Sequence, residues 1–463
     1  MGVRVRFTVW CLLFASGCDS VVDPEGPEAA LTGTTSGPDS DTTGQDTSTS
    51  ATTSLGTAPG STSDAGWTSS DTAWTTSAST SAASSTWGSG SSSDTSTTSD
   101  TSATTDTGTT SEWPDDPLEP YEDGVLAWAA PLPAAFVANG LAVDPDGRIF
   151  VSGASVGPAM VEVSPSGSIV GVEHFTTLMG ADALDDDDAL RDLAAPTSGH
   201  LFGVASIYAF LYDTNSATFE WVVPAELPEN YPFEVYVPPQ LTQVEATPGG
   251  LVLVSGYWHD GFDYTSWVSQ MDSVSGAKLW SLNDPYQYTP FVSADDALGP
   301  TVAWYEGSNP GKEFASMTFY EEGTGTIEQS VHLNAVFDHY VHPQDIVPTL
   351  DGDLFLPMLT YASGVPGWVT RLTPTGDIVW SEPLHPTLYP GRASAVGIAG
   401  DHYLSVSSFP DIEAVLRVLA DGSTTTLVHG AFDTFVDLTR APDDALLLLR
   451  VEDGTYRVER WVF

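Results

Sequence analysis

Two cysteines, Cys11 and Cys18, are all the thiol chemistry in 463 residues. Past Cys18 the chain therefore has no disulfide, no thiolate zinc site and no cysteine nucleophile. Basic residues are scarce, with 13 Lys+Arg against 62 Asp+Glu and a formal net charge of −49. Duplex nucleic acid is bound by cationic side chains that neutralise phosphates, so it is excluded as a partner. A polybasic membrane patch is excluded for the same reason. The only lysines, Lys278 and Lys312, leave little scope for amine catalysis. No Gly-x-Ser-x-Gly elbow stands between a strand and a helix, and no Gly-rich phosphate loop has that context either.

At the N-terminus, Arg4 and Arg6 precede an apolar run from Phe7 to Phe14, and Ala15-Ser16-Gly17 follows it before Cys18. A membrane span needs about 20 apolar residues, so a run this short reads as the core of a signal peptide. Ala-Ser-Gly-Cys after a Leu/Phe run resembles the lipobox of bacterial lipoproteins. That resemblance implies cleavage before Cys18, acylation of its sulfur by a diacyl group and a further acyl chain, such as palmitate, on the new amine. Residues 1–17 are then a signal peptide, and the lipid bilayer is a partner through Cys18. The expected location is the bacterial envelope, with the outer membrane or cell surface favoured over the inner membrane.

Between Thr32 and Glu112, 48 of 81 residues are Ser or Thr, with no Lys or Arg. Such a composition cannot bury enough apolar surface to offset its chain entropy. Residues 18–117 are therefore expected to form a disordered tether. From Asp19 to Pro117 it carries 15 acidic residues and none that are basic. As a flexible coil it would span about 55 Å root-mean-square, and charge repulsion would extend it.

The rest of the chain, 118–463, is repetitive. A short apolar run recurs seven times, beginning at Arg148, His200, Leu251, Thr301, Asp353, His402 and Ala445. Turn signals precede several copies, among them Asp144-Pro145-Asp146-Gly147, Pro248-Gly249-Gly250 and Asp351-Gly352. A second alternating strand, a Gly turn and a third strand follow, and another apolar segment leads into the run. Four strands in a unit of about 50 residues predict an all-β, seven-bladed β-propeller of four-stranded antiparallel blades. An open two-sheet sandwich is the competing architecture, but seven evenly spaced units exceed what it needs. Trp368 to Trp380 resembles the bacterial propeller repeats related to quinoprotein (PQQ-like) blades. Met271 to Trp280 resembles their Asp-x-x-Ser/Thr-Gly-x-x-x-Trp docking motif. The last unit ends without an outer strand, whereas Glu122 to Trp128 matches Pro374 to Trp380 in pattern. Val125 to Leu132 is therefore expected to complete the seventh blade.

Chemistry is thinly signalled. A quinone cofactor is not expected, because the vicinal Cys pair that many resembling enzymes place at it is missing. His339 and His342, with Asp345, are candidate metal ligands between the fourth unit and the fifth. Asp185, Asp186, Asp187 and Asp188, extended by Asp182 and Asp192, are a candidate Ca²⁺ site without EF-hand spacing. No other cofactor is expected, and no catalytic residue stands out. Outside the tether and Arg4 and Arg6, 47 acidic residues face 11 basic ones. So acidic a surface suits a protein working in salt. Together these features lean away from catalysis. They point to a non-catalytic, monomeric propeller domain that binds an envelope protein or glycan. A metal-dependent hydrolase or lactonase using the axial channel is the first alternative, and a surface spacer or adhesin the second.

Overall fold

Each of the seven apolar runs becomes the second strand of a sheet in the computed structural model. It describes residues 116–175, 189–224, 237–259, 264–285, 290–306, 314–337, 340–360, 365–397, 399–408, 412–430 and 434–463. Every described residue belongs to one compact unit within Ala103–Phe463.

Strand β1 (Val125–Pro131) precedes the first blade, which is β2 (Val137–Val143), β3 (Ile149–Ala154), β4 (Pro158–Val163) and β5 (Ile169–His174). The second blade is β6 (Leu190–Thr197), β7 (His200–Ala205), β8 (Tyr208–Asp213) and β9 (Thr218–Pro224). The third is β10 (Val237–Ala246), β11 (Leu251–His259), β12 (Tyr264–Asp272) and β13 (Lys278–Pro285). The fourth is β14 (Phe291–Asp295), β15 (Gly299–Glu306), β16 (Phe314–Tyr320) and β17 (Ile327–His332). Helix α1 (Leu333–Phe337) leads into the fifth, whose inner strand is split into β18 (Val341–Pro343) and β19 (Val347–Pro348). That blade continues with β20 (Leu354–Thr360), β21 (Gly367–Leu372) and β22 (Ile378–Pro383). The sixth is β23 (Tyr389–Val396), β24 (His402–Ser408), β25 (Ile412–Val418) and β26 (Thr424–Gly430). The seventh holds β27 (Phe435–Arg440), β28 (Leu446–Glu452) and β29 (Thr455–Val462), and β1 is its outer strand, in the order β1-β29-β28-β27. The pairing runs from Val125 opposite Val462 to Pro131 opposite Arg457. The sequence expectation of a seven-bladed ring closed by the first strand therefore holds.

The second strands read as continuous apolar runs because both their faces are buried. Leu446 and Leu448 of β28 pack toward blade six, while Leu447 and Leu449 pack toward blade one. The core is accordingly not one mass. It is a series of layers, each shared by two adjacent blades, and they account for every interface around the ring.

Turn chemistry sets the register. Gly147, at φ 79°, closes the turn after β2, and its N–H donates to Asp144 O at 2.9 Å. The buried Asp144 carboxylate accepts from the Asp146 and Arg148 amides and pairs with Arg148 Nε at 2.8 Å.

The tryptophans of the docking motif join neighbouring blades. Trp221 of blade two lies against Gly276 of blade three, and its indole N–H donates to Ser273 O at 3.2 Å. A Cβ at Gly276 would stand 2.7 Å from that ring, and φ there is +70°, so only glycine fits. Trp280 repeats the contact at Gly325, Trp380 at Gly422 and Trp128 at Gly167. Between blades four and five, Val331 takes the tryptophan's place over Gly376.

A second N-terminal element covers the outer edge of blade six. Glu122 N donates to Thr426 O and Thr426 N to Pro120 O, both at 2.8 Å, with Tyr121 bridging Thr426 in parallel. Leu118 is 2 % exposed within the layer between blades five and six. Arg417 clamps Glu122 at 3.0 Å and also pairs with Asp401. This strap was not anticipated from the sequence.

A candidate axial site

The inner strands touch in the order β2, β6, β10, β14, β19, β23 and β27, and β27 returns to β2. They form the wall of the axial channel. The wall is irregular at matching places. The pairing of the first and second strands slips at Ala138/Gly140, Leu190/Asp192, Leu241/Gln243, Pro390/Ser394 and Phe435/Asp437. In blade five the break between β18 and β19 falls in the same stretch. A bulge re-aims the side chain beside it, and here the re-aimed side chains reach across to the next blade.

These cross-links are specific. Asn139 Nδ2 donates to Leu190 O at 3.0 Å. Asp192 accepts from Val244 N at 2.9 Å, and Asp437 from Leu141 N at 2.8 Å. Gln243 makes a longer, two-way contact with the Val292 backbone at 3.4 and 3.5 Å. Ser394 Oγ donates to Asp345 at 2.6 Å. Glu245, two residues beyond Gln243 on the same face of β10, lies at 3.5 Å from its amide nitrogen.

The axis thus gathers four acids: Asp192, Glu245, Asp345 and Asp437. Each keeps some accessible surface, as expected of a channel lining, although protein encloses it on all sides. Burial pushes Asp192 up to about 6 against two backbone N–H donors that favour its charge. Asp345 is raised to about 6 by burial, opposed by Ser394 and the Ile346 amide. Glu245 is raised to about 8, first by burial and then by the charges of Asp192 and Asp345. Asp437 is also raised to about 8, by burial and then by Asp192. Such a lining can hold and exchange protons and offers acceptors to whatever enters the channel.

The residues singled out in the sequence are dispersed. Asp345 is in the axial ring, as is Asp192. His342 stands on β18, its ring stacked on Tyr305 of blade four at a centroid distance of 4.0 Å. His339, Asp185, Asp186, Asp187, Asp188 and Cys18 lie outside the described residues. Among the described residues, no three His, Cys, Asp or Glu side chains stand together as a set able to hold a metal ion. Glu245 and Asp437 were missed, yet for Asp437 the sequence carried a signal; Glu245 stands two residues past the matching position on β10. Counting eight residues back from each repeated run gives Gly140, Asp192, Gln243, Ser293, Asp345, Ser394 and Asp437. All but Gly140 are polar, a column that strict alternation hides because the bulge precedes it.

Two other features bear on function. A cavity of about 300 Å³ opens at the turn face between blades four, five and six, lined by Asp295, Thr349, Leu350, Gly352 and Gly397 among others. Glu459, 1 % exposed, is held in blade seven by Arg450 at 3.2 Å, Arg457 at 2.6 Å and the Trp461 indole at 3.0 Å.

The ring of blades and its polar axis define the class, a seven-bladed β-propeller. No family model matches the chain, and no curated protein matches it. Among solved structures, hydrazine synthase of Kuenenia stuttgartiensis is similar at 13 % identity, covering 70 % of this chain and 95 % of that one, with a TM-score of 0.49. The WD40 domain of Neurospora crassa Pan2 is similar at 11 % identity, covering 73 % and 95 %, with a TM-score of 0.49. The quinohemoprotein alcohol dehydrogenase from Comamonas testosteroni is similar at 10 % identity, covering 71 % and 66 %, with a TM-score of 0.42. At these identities the likeness concerns the fold alone.

Proposed function

We propose that this protein is a lipid-anchored scaffold of the bacterial cell envelope, displaying a non-catalytic propeller on a long tether. The observation that carries the reading is the order Arg4, Arg6, the apolar run to Phe14, then Ala15-Ser16-Gly17-Cys18. Two or three acyl chains on Cys18 would anchor the chain stably, whereas a single chain anchors only marginally. The tether of residues 18–117 would then hold the domain of residues 118–463 clear of the lipid. The antiparallel order of the blades supports a binding role. It sends the turns between first and second and between third and fourth strands to one face, and turns the strand ends that lead from blade to blade to the other. Loops on a rigid framework suit recognition of a protein or glycan.

Metabolic labelling with an alkyne fatty acid tests the anchor. The full chain expressed in a Gram-negative host should take up label and fractionate with the membranes, and Cys18→Ser should lose both properties. Label that persists in Cys18→Ser would sink the proposal. In-cell crosslinking of the lipidated protein should then join an envelope protein or glycan to the loop face.

A further inference from the structure

The channel collects acids on four of the seven blades, and among the described residues what faces them is uncharged or turned elsewhere. β2 contributes Asn139, β14 Ser293 and β23 Ser394. Arg191 of β6 is exposed, and Arg440 of β27 is turned to Asp444 and to the Tyr403 ring. Asp295, at the end of β14, is committed to the Ala297 and Leu298 amides, and Asp144, after β2, to Arg148. The charges acting on Glu245 are those of Asp192, Asp345 and Asp437; those acting on Asp437 are Asp192 and Asp345. Among the described residues no cation acts on any of the four acids.

This geometry makes proton occupancy a structural variable. Three of the acids bond directly to the neighbouring blade, so they sit at the seams of the ring. Like charges facing one another in an enclosed space repel strongly, whereas a protonated carboxyl gains a donor and loses its charge. We propose that the axial acids are a pH-operated clasp: protons retained by Asp192, Glu245, Asp345 and Asp437 keep the inner strands closed, and their loss on the alkaline side slackens the ring.

The direction follows from linkage. In the unfolded chain these carboxyls ionise near their ordinary values of 3.8 and 4.5. In the folded ring Asp192 and Asp345 hold protons to about 6, and Glu245 and Asp437 to about 8. The folded state thus keeps protons that the unfolded state has released. Their contribution to stability is complete in acid and falls as pH rises, for each group by about tenfold in the folding equilibrium per pH unit until its folded value is reached.

Thermal unfolding of the full chain between pH 5 and pH 9 tests the clasp, comparing wild type with Glu245→Gln, Asp437→Asn and the exposed control Glu322→Gln. Wild type and control should lose Tm as pH rises, and the two axial variants should show a flatter profile. A merely structural contact would shift Tm without changing its slope against pH. A flat wild-type profile, or axial variants that keep the wild-type slope, would overturn the proposal. Should both variants fail to fold, the infrared band of a protonated carboxyl decides on wild type alone. It should persist at pH 7 and fade toward pH 9; its absence at pH 6 would overturn the proposal.

Discussion

His402 shows how one side chain can set a pH limit. It opens β24 fully buried, stacked on Phe355 with ring centroids 4.1 Å apart and the planes 2° from parallel. Neither ring nitrogen has a hydrogen-bond partner among the described residues. Burial, assisted by the nearby Arg371 charge, lowers it from 6.5 to about 4. The unfolded chain takes up the proton first, so this histidine withdraws stability from the domain as pH falls from about 6.5 to about 4. Leucine at this position removes two buried unsatisfied atoms and should stabilise by about 1–3 kcal/mol at neutral pH. The Tm advantage of His402→Leu over wild type should grow as pH falls from 7 to 4.5; an advantage that does not change with pH would place the acid sensitivity elsewhere. The axial acids act in the opposite direction, so the two effects together bound the pH range from both sides.

At the scale of strands, closure is the vulnerable step. β1 completes blade seven, and without it β29 presents an unpaired edge. Deleting 118–133 also removes Leu118 and Glu122 from blade six. The truncated chain should unfold or aggregate, and cooperative melting at the wild-type Tm would refute this arrangement. Closure was legible because Glu122 to Trp128 copies the pattern of a turn and outer strand found elsewhere in the repeat. The strap was not, since Leu118-Glu119-Pro120-Tyr121 has neither the length nor the alternation of a strand. Its place comes from tertiary partners, Thr426 and Arg417, far away in sequence. The axial acids fell between these cases. For Asp192, Asp345 and Asp437 a column is present in the sequence, but a bulge or a strand break next to each one interrupts the period-2 pattern by which a strand is read; Glu245 stands two residues past that column. Candidates chosen for ligand chemistry, such as His342, went instead to packing, because imidazole against Tyr305 also fills a layer.

For the molecule as a whole, charge is distributed unevenly. Arg371, Arg417, Arg440, Arg450, Arg457 and Arg460 lie in blades five to seven, each paired with a carboxylate. Blades one to three carry only Arg148, Arg191 and Lys278 on their described strands and turns. Self-repulsion is therefore least compensated in the first half of the ring. Raising ionic strength from about 0.01 M to about 0.15 M shortens the screening length from about 30 Å to about 8 Å. Tm should rise over that interval; a Tm highest at the lowest salt would contradict the reading of the acidic surface as an adaptation to saline surroundings.

The strap also decides where mechanical load enters. A pull arriving from the N-terminal side would reach Leu118 and Glu122 before it reached β1. The Arg417 clamp, the two backbone bonds to Thr426 and the burial of Leu118 must give way before tension bears on the Val125–Val462 seam. Blade six thus serves as strain relief for blade seven. Were the domain pulled through its N-terminal side, the first element to peel would be one whose loss leaves the ring shut.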